Sequence, residues 1–236
     1  MTTSLPSPSD TQARELARYN MIEQQIRPWD VLDPRVLELL SQVRREDFVP
    51  EAHHALAFVD MEVPLLGGTE EALASGRCML APRVEARMLQ DVDPRPYEKV
   101  LEVGAGSGHM AALLGKLSLK VTTLEIEPAL AAMARDNLVR AGIGNAEVRE
   151  ADGSRGLPGE GPFDVIVLSG SVAEVPHALM EQLSQGGRLM AIVGEAPMMR
   201  ATLITRTGPS SFSTTQRWDT VAPRLRNFPE HSRFRF

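Results

Sequence analysis

The chain reads as an α/β protein: a Rossmann-like, doubly wound, mainly parallel sheet with N-terminal helices and an antiparallel C-terminal hairpin. Three observations predict it. From Val100 onward, short apolar β-type runs alternate with segments of helical period. The first run, Lys99-Val-Leu-Glu-Val103, passes straight into Gly104-Ala-Gly-Ser-Gly108 and then into a helical pattern. Beyond residue 200, segments 201–206 and 213–221 alternate apolar and polar residues, as edge strands do.

Residues 1–9, rich in Ser, Thr and Pro, read as a disordered leader. Ser9 and Gln12 give a capping-box start to a helix over 10–27, ended by Pro28. Asp33-Pro34 supplies an N-cap carboxylate and a first-turn proline, and Val36, Leu37, Leu39, Leu40 and Val43 follow at helical spacing. A short helix is expected over 51–56. Segment 59–79, with Gly67-Gly68 and Gly76, reads as an irregular exposed loop near a ligand mouth. Pro82 opens a helix over 82–89. Strands are expected at 99–104, 120–125, 146–150, 164–169 and 187–194, and helices at 108–117, 128–141 and 175–184. Residues 10–95 then form a helical and loop part packed on the sheet, and 96–236 the ligand-binding domain.

An apolar fraction of 43% can fill a core at this length. No run approaches the ~20 apolar residues a membrane span needs, and the N-terminus lacks the basic and apolar regions of a secretory signal. A net charge of −6 argues against a nucleic-acid binder working through bulk charge. The C-terminal arginines, Arg217, Arg224, Arg226, Arg233 and Arg235, could meet an acidic surface but read first as a solvated edge. Cys78 is the single cysteine, so no internal disulfide forms and a reducing, cytoplasmic setting fits. With no Cys/His pattern around it, Cys78 reads as a buried thiol rather than a nucleophile. The five histidines are scattered, which argues against a metal site.

The glycines at 104, 106 and 108 allow a tight turn and close approach of a ligand to the backbone. Alone they fit either a nucleotide-type cofactor or a structural turn. A second strand ending at Glu125, about 20 residues past Gly104, places an acid where ribose hydroxyls would lie; a solvated strand-end carboxylate is the other reading. Asp152-Gly153, after the third strand, can meet an adenine amino group and a ring nitrogen, or be an ordinary turn. Ser169 ends the fourth strand on the same edge. Glu102, on the first strand, is placed either to reach an amino group of the ligand through water or to pair elsewhere in the fold. Together these residues favour a nucleoside-containing cofactor, with Ala105, Ser107 and Ile126 as neighbouring contacts. A nicotinamide-dependent oxidoreductase remains the weaker alternative.

The motif Val100-Leu-Glu-Val-Gly-Ala-Gly-Ser-Gly-His-Met-Ala-Ala-Leu-Leu114 resembles that of class I S-adenosylmethionine-dependent methyltransferases, and more narrowly the protein-L-isoaspartate O-methyltransferases. The likeness runs upstream through Met21-Ile-Glu-Gln-Gln-Ile26, Asp33-Pro-Arg-Val-Leu37, Val43-Arg-Arg-Glu-Asp-Phe-Val-Pro50 and Ala57-Phe-Val-Asp-Met-Glu-Val-Pro-Leu65. Downstream it takes in Asp152-Gly153, Phe163-Asp164 and Gly186-Gly-Arg-Leu189. The resemblance implies S-adenosylmethionine as cofactor and a protein or peptide carboxylate as methyl acceptor. The glycine turn would hold the methionine part, Glu125 the ribose and Asp152 the adenine.

One segment departs from the family pattern. Its Gln-Thr-Ile-Ser-Gln-Pro stretch, whose Thr and Ser help form the pocket, aligns on Pro82 with Cys78 at the Thr and Leu80 at the Ser. An apparent insertion precedes it, and Thr69 and Ser75 there are the substitute hydroxyls, provided the loop folds back. The acceptor therefore stays open between a protein carboxylate and a small molecule, beside a third reading as a non-catalytic cofactor-binding module. Asp60, Glu62, His109 and His177 lie near the expected mouth, and none is assigned as a base.

Overall fold

A computed structural model describes residues 8–230, with side chains from Asp10 onward. The expected leader and the arginines at 233 and 235 lie outside the described residues, apart from the backbone of Pro8 and Ser9. The first described element is α1 (Pro8–Met21), so Ser9 lies within the helix rather than at its cap. The helix does not run regularly to residue 27. It passes into a π turn, Ile22–Ile26, and a 3-10 turn, Arg27–Trp29, which takes in Pro28 and ends at Asp30 with φ 61°.

Asp33 caps α2 (Pro34–Gln42), accepting from the Arg35 N–H at 2.9 Å. Two 3-10 segments follow, Arg45–Phe48 and Glu51–Phe58. The expected exposed loop at 59–79 is instead structured. It holds β1 (Val63–Pro64), α3 (Thr69–Ser75) and β2 (Cys78–Met79), with Val63 paired to Met79 in an antiparallel ladder. Val63, Leu65, Ala72, Cys78, Met79 and Leu80 are buried, which pins the segment to the body. Helix α4 (Pro82–Val92) buries Val84, Ala86, Met88, Leu89 and Val92 along one side.

Alternation then sets in: β3 (Lys99–Val103), α5 (His109–Leu117), β4 (Lys120–Glu125), α6 (Pro128–Arg140), β5 (Ala146–Glu150), β6 (Phe163–Val172), α7 (His177–Met180), β7 (Leu183–Glu195), β8 (Met198–Arg206) and β9 (Phe212–Thr220). The helix expected over 175–184 shrinks to one turn. Leu179 and Leu183 are both buried at helical spacing, but Leu183 pairs with Phe163 and begins a strand. The last strands form an antiparallel edge as expected, β8 also pairing antiparallel with β7.

The seven strands lie in the order β5-β4-β3-β6-β7-β8-β9. The chain builds outward from β3 to β5, then returns to place β6 against the other side of β3, with all these pairs parallel. Strand order reverses at β3, and ligands in such sheets sit outside the carboxyl ends of the strands at that point. Strand alternation sends Val165 and Val167 to one face, with α4, α5 and the N-terminal helices, and Ile166 and Leu168 to the other. Arg188 ties the layers together, donating to the carbonyls of Val92 (2.8 Å) and Asp93 (2.7 Å) and to Glu98 (2.7 Å). No helix among the described residues is long and apolar enough to cross a membrane.

Candidate active site

A cleft opens at the carboxyl ends of β3, β4, β5 and β6, bounded by Gly104, Gly106, Glu125, Ile126, Asp152, Gly153 and Ser169. Its floor follows from the glycine turn. Gly104, Gly106 and Gly108 have φ of 92°, 52° and 84°, a region that side chains with a Cβ rarely adopt. The N–H groups of Gly104 and Ala105 donate to the Leu124 carbonyl, at 2.8 and 3.2 Å, which fastens the turn to β4. Ser107 is buried, and its carbonyl accepts from Asn137 at 2.8 Å. Ala105, Ser107 and Gly108 thus shape the turn from behind rather than line the outer cleft.

Glu125 ends β4 with both carboxylate oxygens engaged. Oε2 accepts from the Gly106 N–H at 2.8 Å and Oε1 from the Glu127 N–H at 3.0 Å. Burial raises its pKa, against the pull of those N–H groups. Each oxygen keeps a second lone pair for a ligand hydroxyl. Asp152 follows β5. Its Oδ1 accepts from the Ser154 N–H and its Oδ2 from Asn227, both at 2.9 Å. Burial opposes ionisation there, but these donors outweigh it and hold the carboxyl below its ordinary value.

Glu102 lies fully buried on β3, accepting from the Ser169 hydroxyl at 2.6 Å. Its other oxygen has no partner among the described residues, and burial pushes its pKa up to about 8. A small inner space behind the turn is bounded by Leu80, Glu85, Glu102, His109 and Ser169. His109 faces Glu85 through Nδ1 at 3.0 Å and stands edge-on to Phe48. Glu85 also pairs with Arg45, and its two partners outweigh its burial and hold its pKa below the ordinary value.

The hydroxyl candidates fare differently. Ser75 reaches the cleft wall, but its hydroxyl donates to the Glu71 carbonyl at 2.7 Å. Thr69 begins the same helix, about 9 Å away along the axis, exposed and outside the cleft lining. It does not substitute for the missing hydroxyl, because the inserted segment folds as a helix rather than looping back. Leu80 is 6% exposed and Cys78 is buried. Burial, with the Glu62 carboxylate nearby, pushes the Cys78 thiol up to about 12, so thiolate is scarce at neutral pH.

Residues 221–228 form a strap over the strand ends, a feature the sequence reading missed. The Leu225 N–H donates to the Ser171 carbonyl at 2.9 Å and the Ser171 N–H to that of Pro223 at 2.7 Å. Leu225 lies so close over the turn that a Cβ at Gly104 would come within 2.9 Å of its Cδ2, and one at Gly170 within 2.8 Å of its Cγ. Arg224, half-buried, therefore lines the cleft instead of joining a solvated edge, while Arg226 borders the cleft and stays exposed as expected. Leu225 and Phe228, two apolar residues interleaved with Arg224, Arg226 and Asn227, were the available signal.

Comparison with known proteins agrees with this geometry. The family model "Protein-L-isoaspartate(D-aspartate) O-methyltransferase (PCMT)" matches residues 17–221. A protein-L-isoaspartate O-methyltransferase of Koribacter versatilis is 39% identical over 81% of this chain and 82% of its own. One from Methanoregula boonei is 36% identical over 88% and 89%. Among solved structures, one described as a protein-L-isoaspartate O-methyltransferase superposes with a TM-score of 0.73 at 23% identity, covering 90% of this chain and 65% of that one. A Plasmodium falciparum structure of the same description, in complex with S-adenosyl-L-homocysteine, gives 0.72 at 21% identity over 89% and 98%. These two structural likenesses speak for the fold; the sequence matches settle the family, and the chain belongs to the protein-L-isoaspartate O-methyltransferase family.

Proposed function

We propose that the chain is an S-adenosylmethionine-dependent O-methyltransferase acting on a carboxylate of proteins or peptides, the isoaspartyl carboxylate foremost. The observation that carries this reading is the Glu125 carboxylate, fixed by two backbone N–H groups beside a glycine turn, with Asp152 on the same cleft. The cleft fits the cofactor. Gly104, Gly106 and Ile126 offer close backbone approach, Glu125 takes ribose hydroxyls, Asp152 and Gly153 face adenine, and the unpartnered oxygen of Glu102 suits the amino group. In this reading residues 96–236 carry the cofactor, and residues 10–95 with the strap shape the acceptor side.

When bound, S-adenosylmethionine supplies an electrophilic methyl group on a sulfonium. An acceptor carboxylate is ionised at neutral pH and needs no base. The chain's own work is then alignment and exclusion of water. Leu225 over Gly104 and Gly170 serves the second task. His109, buried against Glu85, and Asp60, paired with Arg83 at 3.1 Å, are structural in this scheme. His177 is exposed on α7 and takes no part. A reducing cytoplasm suits the single buried thiol.

Titration calorimetry with S-adenosylhomocysteine tests cofactor binding. Base-labile methyl esters on isoaspartyl peptides, absent from α-aspartyl controls, test the acceptor. Buried Leu80, with no hydroxyl to present, favours a small-molecule acceptor as the second reading. Esters on small acids or phenols, and none on peptides, would establish that reading instead.

A further inference from the structure

Arg224 sits in the middle of the strap, and its backbone is fixed there as a bridge to Ser171. The Ser171 hydroxyl adds a bond to the Ala222 carbonyl at 2.8 Å, and Gly76 lies against Pro223 on the opposite wall. Arg224 is among the residues that bound the cleft, with Ser75, Cys78 and Gly104. Its Nε lies 3.2 Å from the Glu230 carboxylate in an ion pair. Its Nη1 is buried with no hydrogen-bond partner among the described residues. A buried guanidinium N–H without an acceptor is costly, and such groups ordinarily meet an anion.

The rest of that wall offers little to an anion. The Ser75 hydroxyl is committed to a backbone carbonyl, and Cys78 is a weak donor. The nucleoside side of the cleft is acidic, with Glu125 and Asp152. Arg226 is exposed and paired with Glu127 at 3.3 Å. Charge therefore divides the cleft into an acidic end and an end where Arg224 stands with an unused donor.

We propose that Arg224 receives the carboxylate of the methyl acceptor through its unpartnered Nη1 and so sets acceptor specificity. The inference rests on the carboxylate-methylating reading above. With Nε held by Glu230, contact through Nη1 on one carboxylate oxygen leaves the other free to react. Arg224 takes over, from the strap, an orienting task that no hydroxyl at position 80 can perform.

The test measures binding of a dye-labelled isoaspartyl peptide, by anisotropy, to the full chain saturated with S-adenosylhomocysteine. Arg224→Gln should weaken it at least tenfold and raise KM more than it lowers kcat. The loss should vanish for the same peptide with the side-chain carboxylate amidated. Arg224→Lys should recover part of the affinity, and Glu230→Gln, which frees the guanidinium, should tighten binding. Exposed Arg217→Gln should change nothing, and S-adenosylhomocysteine affinity should stay within twofold throughout. Unchanged peptide affinity in Arg224→Gln overturns the inference. So does an equal fall in S-adenosylhomocysteine affinity, which would assign Arg224 to the cofactor's own carboxylate. A wild-type chain that binds S-adenosylhomocysteine but no isoaspartyl peptide overturns the carboxylate-methylating reading, and this inference with it.

Discussion

Arg45 Nη2 donates to the carbonyl of Leu80 at 2.6 Å, while Nη1 of the same guanidinium pairs with Glu85. The segment that departs from the family pattern is thus held by its backbone, from a residue 2% exposed in the N-terminal part. Position 80 can lose its hydroxyl without losing its place.

Stability depends on that arrangement. Glu85→Gln should leave Arg45 buried without its counter-charge and cost about 3–5 kcal/mol. Joint replacement, Arg45→Met with Glu85→Leu, should recover only part of the loss, because the uncompensated charge is gone but the Leu80 carbonyl and His109 Nδ1 lose their partners. Urea unfolding of the three variants checks this. A Glu85→Gln protein as stable as wild type would show that the pair contributes nothing.

Much of this architecture is legible locally. The passage from β3 through the glycine turn to α5 is spelled within fifteen residues, since a β-type run, alternate glycines and a helical period need no distant partner. Helix α3 was not legible. Its seven residues bury Ala72 alone, too weak an apolar pattern to distinguish a helix from a Gly-flanked loop. The strap was hidden for a different reason. Leu225 gains its place only by meeting Gly104 and Gly170, which are remote in sequence, so no local period marks it. Thr69 failed as a candidate because a hydroxyl's usefulness depends on where the helix axis carries it.

Acidity of Glu102 should be visible in the pH dependence of stability. Its folded-state value is raised from 4.5 to about 8. Between those limits the folded chain keeps a proton that the unfolded chain has lost. Its contribution is complete below the lower value and disappears as pH rises through the upper one. The slope is at most about 1.4 kcal/mol per pH unit. Glu102→Gln, neutral at every pH, should remove this slope. Urea midpoints at pH 5 and pH 8 that fall equally in both proteins would contradict the assignment.

Gly104→Ala should damage both stability and binding. A φ of 92° with a Cβ costs about 1–2 kcal/mol, and the added atom would push Leu225 off the turn. Thermal denaturation should show the loss, and S-adenosylhomocysteine affinity should fall more than tenfold. Gly142→Ala also places a Cβ at positive φ (67°), but with nothing within 4 Å of it. It should cost stability alone, so equal ligand affinity in the two variants would count against the close approach at Gly104.

Glu125 offers the most discriminating measurement on the cofactor side. Its carboxylate is already oriented by the N–H groups of Gly106 and Glu127, so a ribose hydroxyl meets a fixed acceptor rather than a mobile one. Hydrogen bonds to a charged group are worth about 1.5–3 kcal/mol, or roughly ten- to 150-fold in affinity. Glu125→Ala should lose that much for S-adenosylhomocysteine by calorimetry. Truncation also leaves two backbone donors unpaired, and this cost must be separated from the lost ligand contact. An analogue lacking both ribose hydroxyls does so: wild type should bind it weakly, and Glu125→Ala should bind it no worse than wild type does. If the variant loses the same factor toward both ligands, Glu125 only holds the turn in shape and the ribose lies elsewhere.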